Sequence, residues 1–217
     1  MNKSFLPSYV KRLGRITDAQ KNNLKEFLNY KIGSIEDCND FIKNSNAILD
    51  IGFGDGEFTV FLAEKFENYL IVASEVYQSG IGSLIGKLKA KECHSVKIFN
   101  GDVRDLIINQ GKPMFDKVFA MFPDPWQKAR HHKRRLINLF FFETIKPHLK
   151  RGAEIYISTD WENYAESIRE LQSDLGDFIF EEGDFLETNF STKFAKRAAN
   201  EGRTIRNFKF SFLKQTN

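Results

Sequence analysis

Residues Leu49–Glu57 read LDIGFGDGE, and this stretch decides the fold. The apolar run that enters it at Ala47 is typical of the end of a buried strand. Three glycines then stand on alternate positions, and apolar residues at helical spacing follow from Phe58 onward. A strand, a glycine turn and a helix form the layout in which a nucleotide-like ligand contacts backbone N–H groups. The stretch therefore predicts an α/β fold with a ligand site at this turn.

The spacing of Gly52, Gly54 and Gly56 indicates which ligand this turn suits. The dinucleotide fingerprint G-x-G-x-x-G would need a third glycine at position 57, where the chain has Glu57. The acidic neighbours also disfavour a pyrophosphate, so the pattern favours a cationic ligand, with Asp50 placed to face an ammonium or sulfonium group. An acidic residue before G-x-G-x-G resembles the S-adenosylmethionine (SAM) methyltransferases. The alternative is an ordinary turn between a core strand and a core helix.

The composition fits a single intracellular domain. The chain has 217 residues, of which 41% are hydrophobic, and a formal net charge of +3. Cys38 and Cys93 fit no metal-binding spacing, which favours a reduced, cytoplasmic protein without a metal, and no apolar run reaches membrane-spanning length. Because the net charge is small, a nucleic-acid site must come from local clusters of charge. We expect residues 1–45 to be an N-terminal arm and helix of the same domain as residues 46–217.

Two further carboxylates end predicted strands. Glu75 follows the strand Tyr69–Ala73, at the position where nucleotide-binding α/β folds place the acid that accepts from both ribose hydroxyls. Asp102 follows the strand Ser95–Phe99, and it could accept from the amine of adenine or cap the next helix. The alternative for Glu75 is a surface residue that ends a strand. Because ligands of open parallel sheets bind at the carboxyl ends of the strands, we predict that both acids line one pocket.

A fourth predicted strand, Asp116–Met121, runs directly into FPDPWQKARHHKRR, residues Phe122–Arg135. Pro123 and Pro125 fix φ on both sides of Asp124, which holds this carboxylate rigidly at the edge of the sheet. The basic run that follows predicts contacts with a phosphodiester beside a reaction centre, although a solvated loop is the alternative. The residues expected to hold an RNA backbone are Lys128, Arg130, Lys133, Arg134 and Arg135.

The remaining segments supply helices and further candidates. Asp160 ends a fifth predicted strand, Glu154–Ser158, where it could bind substrate, cap the following helix, or do both. Residues 188–197, between the short predicted strands Phe178–Glu181 and Asn207–Leu213, interleave hydroxyls, aromatic rings and basic groups, a mix that can hold a base and its phosphate. Helices are predicted at Ile16–Tyr30, at 57–67, at Ser79–Lys91, whose glycines allow close packing on the sheet, and before Pro147, with Leu136, Ile137, Phe140, Phe141 and Ile145 inward. The cluster of Tyr9, Lys11, Arg12 and Arg15 is either a solvated arm or part of a polyanion site.

Taken together, these stretches resemble the bacterial tRNA (guanine-N7-)-methyltransferase family. The resemblance runs from about Asp50 to the C-terminus, and its most specific motifs are FPDPWxKxRHxKRR at 122–135 and TDWExYA at 159–165. It implies a doubly wound, mostly parallel sheet of the Rossmann-like SAM methyltransferase type, with a C-terminal antiparallel strand pair. It also implies a tRNA substrate, SAM as cofactor, and a protein that is a monomer or homodimer.

The resemblance also implies roles for individual residues. SAM contacts are implied for Asp50, Glu75, Asp102 and Asp124, together with the glycine turn. Substrate contacts are implied for Lys128, Asp160 and the segment Thr192, Lys193, Phe194, Ala195. The family usually has Glu at the last of these positions, so another carboxylate, Glu187 or Glu201, is a candidate substitute for Ala195.

The implied reaction transfers the methyl group of SAM to N7 of a guanosine in tRNA, in the variable loop. N7 carries an available lone pair, so the enzyme would align and desolvate the reactants without a general base. Asp124 is the predicted catalytic residue, because a fixed carboxylate stabilises the positive charge that arrives on the ring. One alternative is an amino-group methyltransferase acting on adenine or cytosine, although such enzymes carry Asp/Asn-Pro-Pro-aromatic and this chain has a single proline between Asp124 and Trp126. The other is an RNA-binding protein that keeps the fold without turnover.

Overall fold

The computed structural model describes residues 5–10, 14–38, 46–108, 111–185 and 192–213. The strands are β1 (Lys31–Ile32), β2 (Asn46–Ile51), β3 (Tyr69–Glu75), β4 (Val96–Asn100), β5 (Phe115–Met121), β6 (Leu149–Thr159), β7 (Phe178–Glu182) and β8 (Arg206–Phe212). The helices are α1 (Asp18–Leu24), α2 (Phe27–Tyr30), α3 (Glu57–Lys65), α4 (Gln78–Ala90), α5 (Val103–Ile107), α6 (Leu139–Ile145), α7 (Glu162–Glu170) and α8 (Lys193–Asn200). Short 3₁₀ helices lie at Glu36–Cys38, Ala129–Arg134, Lys146–His148 and Leu171–Ser173.

The described strands form one mixed sheet in the order β1-β4-β3-β2-β5-β6-β8-β7. The pairings from β1 to β6 are parallel, whereas β8 pairs antiparallel with both β6 and β7. The predicted mostly parallel sheet with a C-terminal antiparallel pair is therefore confirmed. The chain leaves β2 toward β3 on one side and later returns to β5 on the other, so the crevice at the carboxyl end of β2 is a topological switch point.

The central strand β2 is buried on both faces of the sheet. Ile48 belongs to a core with Leu62 of α3 and Ile85 of α4, whereas Leu49 belongs to the opposite core with Phe142 of α6. Because successive side chains of a strand point to opposite faces, a continuous apolar run is what a sheet covered by helices on both sides requires. Burial on both sides fixes the register of β2 and hence the place of the turn that follows it.

Of the five residues predicted to point inward before Pro147, four are buried and only Phe140 is wrong. The helix before Pro147 begins only at Leu139, after the N-cap Asn138, whose side chain accepts from the backbone N–H of Phe141 at 3.0 Å. Leu136 and Ile137 are buried but precede the helix. The shorter helix is therefore in a different phase, which buries Phe142 and leaves 39% of Phe140 exposed.

The N-terminal region also differs from the single helix predicted at Ile16–Tyr30. Thr17 caps α1 in a capping box with Gln20, and the chain then breaks before α2. Two of the glycines of α4 face α1 rather than the sheet: a Cβ at Gly82 would lie 2.6 Å from the Gln20 carbonyl oxygen. The N-terminal region thus packs on α4 and contributes the edge strand β1 to the same sheet. Among the described residues, no helix is both long and apolar enough to cross a membrane.

Candidate active site

The carboxyl ends of β2 to β5 surround a hollow, which we call the Glu75 pocket. It is lined by six of the predicted site residues, Gly52, Gly54, Glu75, Asp102, Asp124 and Phe194. A second hollow, the Lys193 pocket, shares the two glycines with the first and is lined also by Asp50, Thr192, Lys193 and Phe194. The strand ends, the glycine turn, the Pro-Asp-Pro stretch and α8 therefore converge at the switch point of the sheet.

The glycine turn has the backbone that its sequence requires. Gly52 and Gly54 have φ of +68° and +60°, a region that favours glycine, and a Cβ on either would meet no atom within 4 Å. Gly52 is exposed and Gly54 is half-buried, so the turn leaves room for a ligand that approaches the main chain. Gly56, which was predicted to bind the cofactor, instead packs on α4, because a Cβ there would lie 2.7 Å from Leu84.

Glu75 is held rigidly at the end of β3. Its Oε2 accepts from the backbone N–H of Gly54 at 2.9 Å, and its Oε1 accepts from those of Val76 and Tyr77 at 2.6 and 3.0 Å. Burial raises the pKa of Glu75 and outweighs these hydrogen bonds, and the charge of Asp124 acts in the same direction. A carboxylate has about four acceptor sites, so about one remains for a ligand hydroxyl, fewer than the two predicted.

Asp102 caps a helix, which is one of the two roles that the sequence left open. Its Oδ1 caps α5 by accepting from the backbone N–H of Arg104 at 3.1 Å, and its carboxylate also accepts from the Arg104 side chain at 3.0 and 2.7 Å. Burial acts to raise the pKa of Asp102, but the hydrogen bonds and charge of Arg104 outweigh it and hold the pKa below its usual value. Asp102 is therefore an ionised acceptor in the wall of the Glu75 pocket.

Asp124 sits between two residues with strained backbones. Phe122 and Trp126 have φ of 55° and 46°, each costing about 1–3 kcal/mol for a residue other than glycine. Three hydrogen bonds hold this turn: Phe122 N–H donates to Ser158 O at 2.8 Å, Trp126 Nε1 to Ser8 O at 3.0 Å, and Arg135 Nε to Pro125 O at 2.9 Å. The surroundings thus fix the exposed carboxylate of Asp124 at the pocket.

Arg135 does not fit its predicted place on an RNA-binding surface. Only 4% of it is exposed, and its guanidinium donates to the carbonyl and side-chain oxygens of Asn163 and to Ser167 Oγ, in addition to Pro125 O. Its guanidinium carbon also lies 4.7 Å from the ring centre of Tyr164. This arginine therefore ties the Pro-Asp-Pro turn to α7 and has no surface to offer a phosphate.

Arg135→Ala is expected to destabilise the protein by about 1–3 kcal/mol, because it removes four hydrogen bonds and the packing of a buried guanidinium group. We also expect turnover to fall, since the turn that carries Asp124 loses one of its three anchors. The control is Arg130→Ala, which removes an exposed arginine from the same basic run. Denaturant unfolding measures both variants; equal stability of the two would contradict the structural role of Arg135.

The rest of the basic run remains on the surface. Residues Ala129–Arg134 form a 3₁₀ helix in which Arg130 and Lys133 are exposed, as is Lys128 just before it. Arg134 is half-buried, with its guanidinium carbon 5.0 Å from the ring centre of Trp126. The exposed cations lie directly after the turn that carries Asp124, so a bound polyanion would pass beside the Glu75 pocket.

Asp160 does not cap α7, whose N-cap is Trp161 without a side-chain hydrogen bond. Its carboxylate instead forms an ion pair with Arg203 at 3.0 Å. The same guanidinium pairs with Glu201 at 2.7 Å, so the two acids are joined through one arginine. This pairing brings the end of β6 and the residues after α8 together, and neither acid lines the Glu75 pocket or the Lys193 pocket.

Helix α8 closes the Lys193 pocket. Thr192 caps it by accepting from the backbone N–H of Ala195 at 3.0 Å, which leaves the O–H of this hydroxyl as a donor. Lys193 forms an ion pair with Asp55 of the glycine turn, and Phe194 stacks on Phe122 with ring centres 6.0 Å apart. Residues 186–191, including Glu187 and the first half of the predicted base-binding stretch, lie outside the described residues.

The segment Phe5–Val10 also belongs to the site, although its sequence indicated only Tyr9, as a candidate for a polyanion site. Three of its carbonyls accept from three site loops: Leu6 O from Arg104 at 2.9 Å, Ser8 O from Trp126 at 3.0 Å, and Val10 O from Tyr77 at 2.7 Å. Ser8 and Tyr9 consequently line the Glu75 pocket. Backbone carbonyls leave no signature in a sequence, although the aromatic ring of Tyr9 in a polar arm was a signal. Lys11 and Arg12 lie outside the described residues.

These features define a Rossmann-like SAM-dependent methyltransferase. A family model described as "Putative methyltransferase" matches residues 44–208. The SAM-dependent O-methyltransferase of Thermotoga maritima shares the fold, with a TM-score of 0.56 at 16% identity over 90% of this chain and 72% of that one. The described residues contain no cluster of His, Cys, Asp and Glu suited to a metal ion.

Curated relatives identify the family within this class. The tRNA (guanine-N(7)-)-methyltransferase of Nitrosococcus oceani is 33% identical over 95% of this chain and 92% of its own length. That of Neorickettsia sennetsu is 36% identical over 91% and 88%. The chain belongs to the tRNA (guanine-N(7)-)-methyltransferase family. The family expected from the sequence motifs is thereby confirmed, as is SAM as its cofactor.

Proposed function

We propose that this enzyme transfers the methyl group of SAM to N7 of a guanosine in the variable loop of tRNA, in the cytoplasm, forming 7-methylguanosine. The observation that carries the proposal is the convergence of the glycine turn, Glu75, Asp102 and the anchored Asp124 on one pocket, beside an exposed basic run. The names of the relatives supply the substrate class. All these residues come from one chain, so a monomer or a homodimer can carry a whole site.

The residues present fit SAM. The lack of a side chain at Gly52 and Gly54 suits its close approach, and Glu75 keeps an acceptor for a ribose hydroxyl. Asp102 is ionised in the same pocket, where the adenine amine would share the carboxylate oxygens with Arg104 and Ser8. Asp50 faces the cationic end of such a ligand from the Lys193 pocket. SAM supplies an activated methyl group on a sulfonium ion, and the work of the protein is to align it with N7 and exclude water.

Asp124 is the proposed catalytic residue. N7 of guanine has a lone pair and needs no base, but the ring becomes cationic as the methyl group arrives. A fixed carboxylate at the ring stabilises that charge as it develops and needs no reorganisation at that moment. Because the turn is held by three hydrogen bonds, Asp124 stays in place when the ligands enter.

The guanine is proposed to lie between Asp124 and α8. Phe194 offers a ring face, and Lys128 a cation for the backbone phosphate. Since this chain has Ala195 where a carboxylate is usual, we propose that Asp160 accepts from the Watson–Crick edge, with Glu201 held beside it by Arg203. Acceptors at this edge select guanine, because N1 and N2 of guanine both donate.

The affinity for SAM is expected to rise as the pH increases from about 6 to about 8. Burial raises the pKa of Asp50 to about 7, although the hydroxyl of Thr59 donates to it at 2.7 Å; the charge of Glu75 acts in the same direction as burial. A cationic ligand favours the ionised carboxylate, so binding below pH 7 releases a proton. Calorimetry in buffers of different ionisation enthalpy measures this release. Asp50→Asn should flatten the profile, and an unchanged profile in that variant would exclude Asp50 as its source.

The same group affects stability with the opposite trend. The folded state keeps the Asp50 proton up to about pH 7, whereas the unfolded state releases it near pH 3.9. The contribution of Asp50 to the free energy of unfolding therefore falls as the pH rises from about 4 to about 7, and it is constant above that range.

Binding of tRNA is expected to weaken steeply with salt, because each phosphate contact releases counterions. The slope of log K against log salt is negative, and Lys128→Gln and Arg130→Gln should each reduce its magnitude by about one. Sequence preference should change little. The control is Lys91→Gln, which removes a lysine that pairs with Glu64 at the far end of α4. Filter binding at several salt concentrations measures the slopes; equal slopes for all three variants would show that the RNA docks elsewhere.

One assay separates this function from its alternatives. Labelled SAM and unmodified tRNA transcripts are incubated with the enzyme, and the modified nucleoside is identified after digestion. We expect 7-methylguanosine. Methylated adenosine or cytidine would indicate an amino-group methyltransferase, whereas RNA binding without label transfer would indicate a protein that has lost turnover.

A further inference from the structure

A third hollow lies on the other side of the Phe5–Val10 segment, and we call it the Trp126 pocket. It encloses about 360 Å³, within the range of small-molecule sites, and is lined by Pro7, Tyr9, Val10, Trp126, His131 and Arg134. Tyr9 also lines the Glu75 pocket, so the two hollows are neighbours with one side chain between them. The roles proposed above for SAM and the target guanine leave this pocket without an occupant.

The Trp126 pocket offers flat rings and a planar cation. The guanidinium carbon of Arg134 lies 5.0 Å from the centre of the indole, and the ring of His131 meets it edge-on with centres 5.6 Å apart. The indole N–H already donates to Ser8 O, so what Trp126 offers is its ring. Desolvation and the neighbouring cations, Arg130 first among them, lower the pKa of His131, which favours the neutral form of this ring. Such a lining binds a planar base by stacking, and the binding depends little on which base it is.

The charge around the pocket indicates what carries that planar group. Exposed Lys128, Arg130 and Lys133 belong to the same turn and 3₁₀ helix as the lining residues His131 and Arg134. A ring attached to phosphates on both sides matches this arrangement, whereas an isolated hydrophobic ligand would leave the cations unused. A nucleotide within an RNA strand has this chemistry.

A stacking site for a second base is useful because the target guanosine must leave its stack to be methylated. The major-groove edge of a base in A-form RNA lies in a deep, narrow groove, so N7 becomes accessible only when the guanosine leaves the stack. Its neighbour in the strand then loses a stacking partner. The rings of the Trp126 pocket, which Tyr9 separates from the Glu75 pocket, would replace that lost stacking contact.

We propose that the Trp126 pocket binds, by stacking, the base of the unpaired nucleotide next to the target guanosine. This inference rests on the proposed function, since it places that nucleotide relative to the methylated one. The base stacks in the Tyr9–Trp126 hollow beside Arg134, and the exposed cations hold the phosphates on either side. The pocket selects single-stranded geometry around the target and reads little of the identity of the base.

The test combines variants of the protein with RNAs that lack one base. Substrates carry an abasic nucleotide on the 5′ or the 3′ side of the target guanosine, and kcat/KM is measured with the full-length enzyme. Removing a stacked base is expected to cost about tenfold to a hundredfold on one of the two sides. In Tyr9→Leu and in Arg134→Gln, kcat/KM for the intact RNA should already be lower than in the wild type. The same abasic substitution should then reduce kcat/KM by less than a further factor of about three.

Arg130→Gln is the matched control, because it removes a cation of the same run that does not line the pocket. It should slow intact and abasic RNAs by the same factor. Two results would overturn the proposal. The first is a wild-type rate that is unaffected by an abasic nucleotide on either side. The second is an abasic substitution that reduces the rate by the same factor in Tyr9→Leu and Arg134→Gln as in the wild type. Thermal unfolding of each variant identifies a folding defect, and the comparison within one variant between the two RNAs is unaffected by it.

A binding measurement separates failure of this proposal from failure of the proposed function. 2-Aminopurine placed beside the target guanosine should lose fluorescence when the protein binds, and lose less in Tyr9→Leu. Quenching without any methyl transfer would support stacking of the base in the Trp126 pocket and contradict the proposed activity. Methyl transfer to N7 without quenching on either side would support the proposed activity and contradict stacking of the neighbouring base in the Trp126 pocket.

Discussion

Asp124→Asn is expected to lower kcat for tRNA methylation by about 100- to 1,000-fold while the affinity for SAM changes by less than about threefold. Asparagine has nearly the same shape as aspartate, and hydrogen bonds to Ser158, Ser8 and Arg135 anchor the backbone of the turn. The main change in this variant is therefore the loss of a negative charge. That charge is needed most when the guanine ring becomes cationic.

Single-turnover kinetics and calorimetry measure the two effects separately. Asp174→Asn is the control, since Asp174 is an exposed carboxylate that follows the short 3₁₀ helix after α7. Asp124→Glu keeps the charge but moves it by one methylene, and it should recover only part of the rate. Methylation by Asp124→Asn at close to the wild-type rate would remove this residue from the centre of the mechanism.

Gly80→Ala is expected to weaken SAM binding more than tenfold and to destabilise the protein. A Cβ at Gly80 of α4 would lie 2.1 Å from the carbonyl oxygen of Gly54 and 3.3 Å from the side chain of Glu75. Because the first of these contacts is with backbone, either the helix or the glycine turn must move by about 1 Å. Displacements of that size in a binding site cost about 100-fold in rate.

Gly176→Ala is the matched control, because a Cβ there would meet no atom within 4 Å and Gly176 does not have a positive φ. It should leave both affinity and melting temperature close to wild type. Equal behaviour of the two alanine variants would mean that the packing of α4 on the glycine turn does not shape the cofactor site.

The parts of the fold that the sequence predicts well are those in which local pattern and burial agree. The continuous apolar run of β2 is buried on both faces, so its strand and the turn after it follow from residues that adjoin in the chain. Glu75 and Asp102 end strands on the same edge of the sheet, and parallel topology alone brings them into one pocket.

The sequence fails where distant contacts decide a side chain's place. Arg135 stands last in a run of cations and looks like its neighbours, but oxygens of Asn163 and Ser167 on α7 draw it into the protein. Phe140 turns outward because α6 begins later than the apolar pattern indicates. The Phe5–Val10 segment is held through its carbonyls by donors far along the chain, which no local pattern reveals.

The most direct test of the account replaces the target guanosine by 7-deazaguanosine, which keeps the Watson–Crick edge and the ring faces but has no N7. With labelled SAM and a tRNA that carries this single replacement, we expect binding close to that of the normal tRNA and no transfer of label. Continued methylation of the substituted tRNA at that nucleotide would contradict the account, because the pocket would then present another atom to the methyl group.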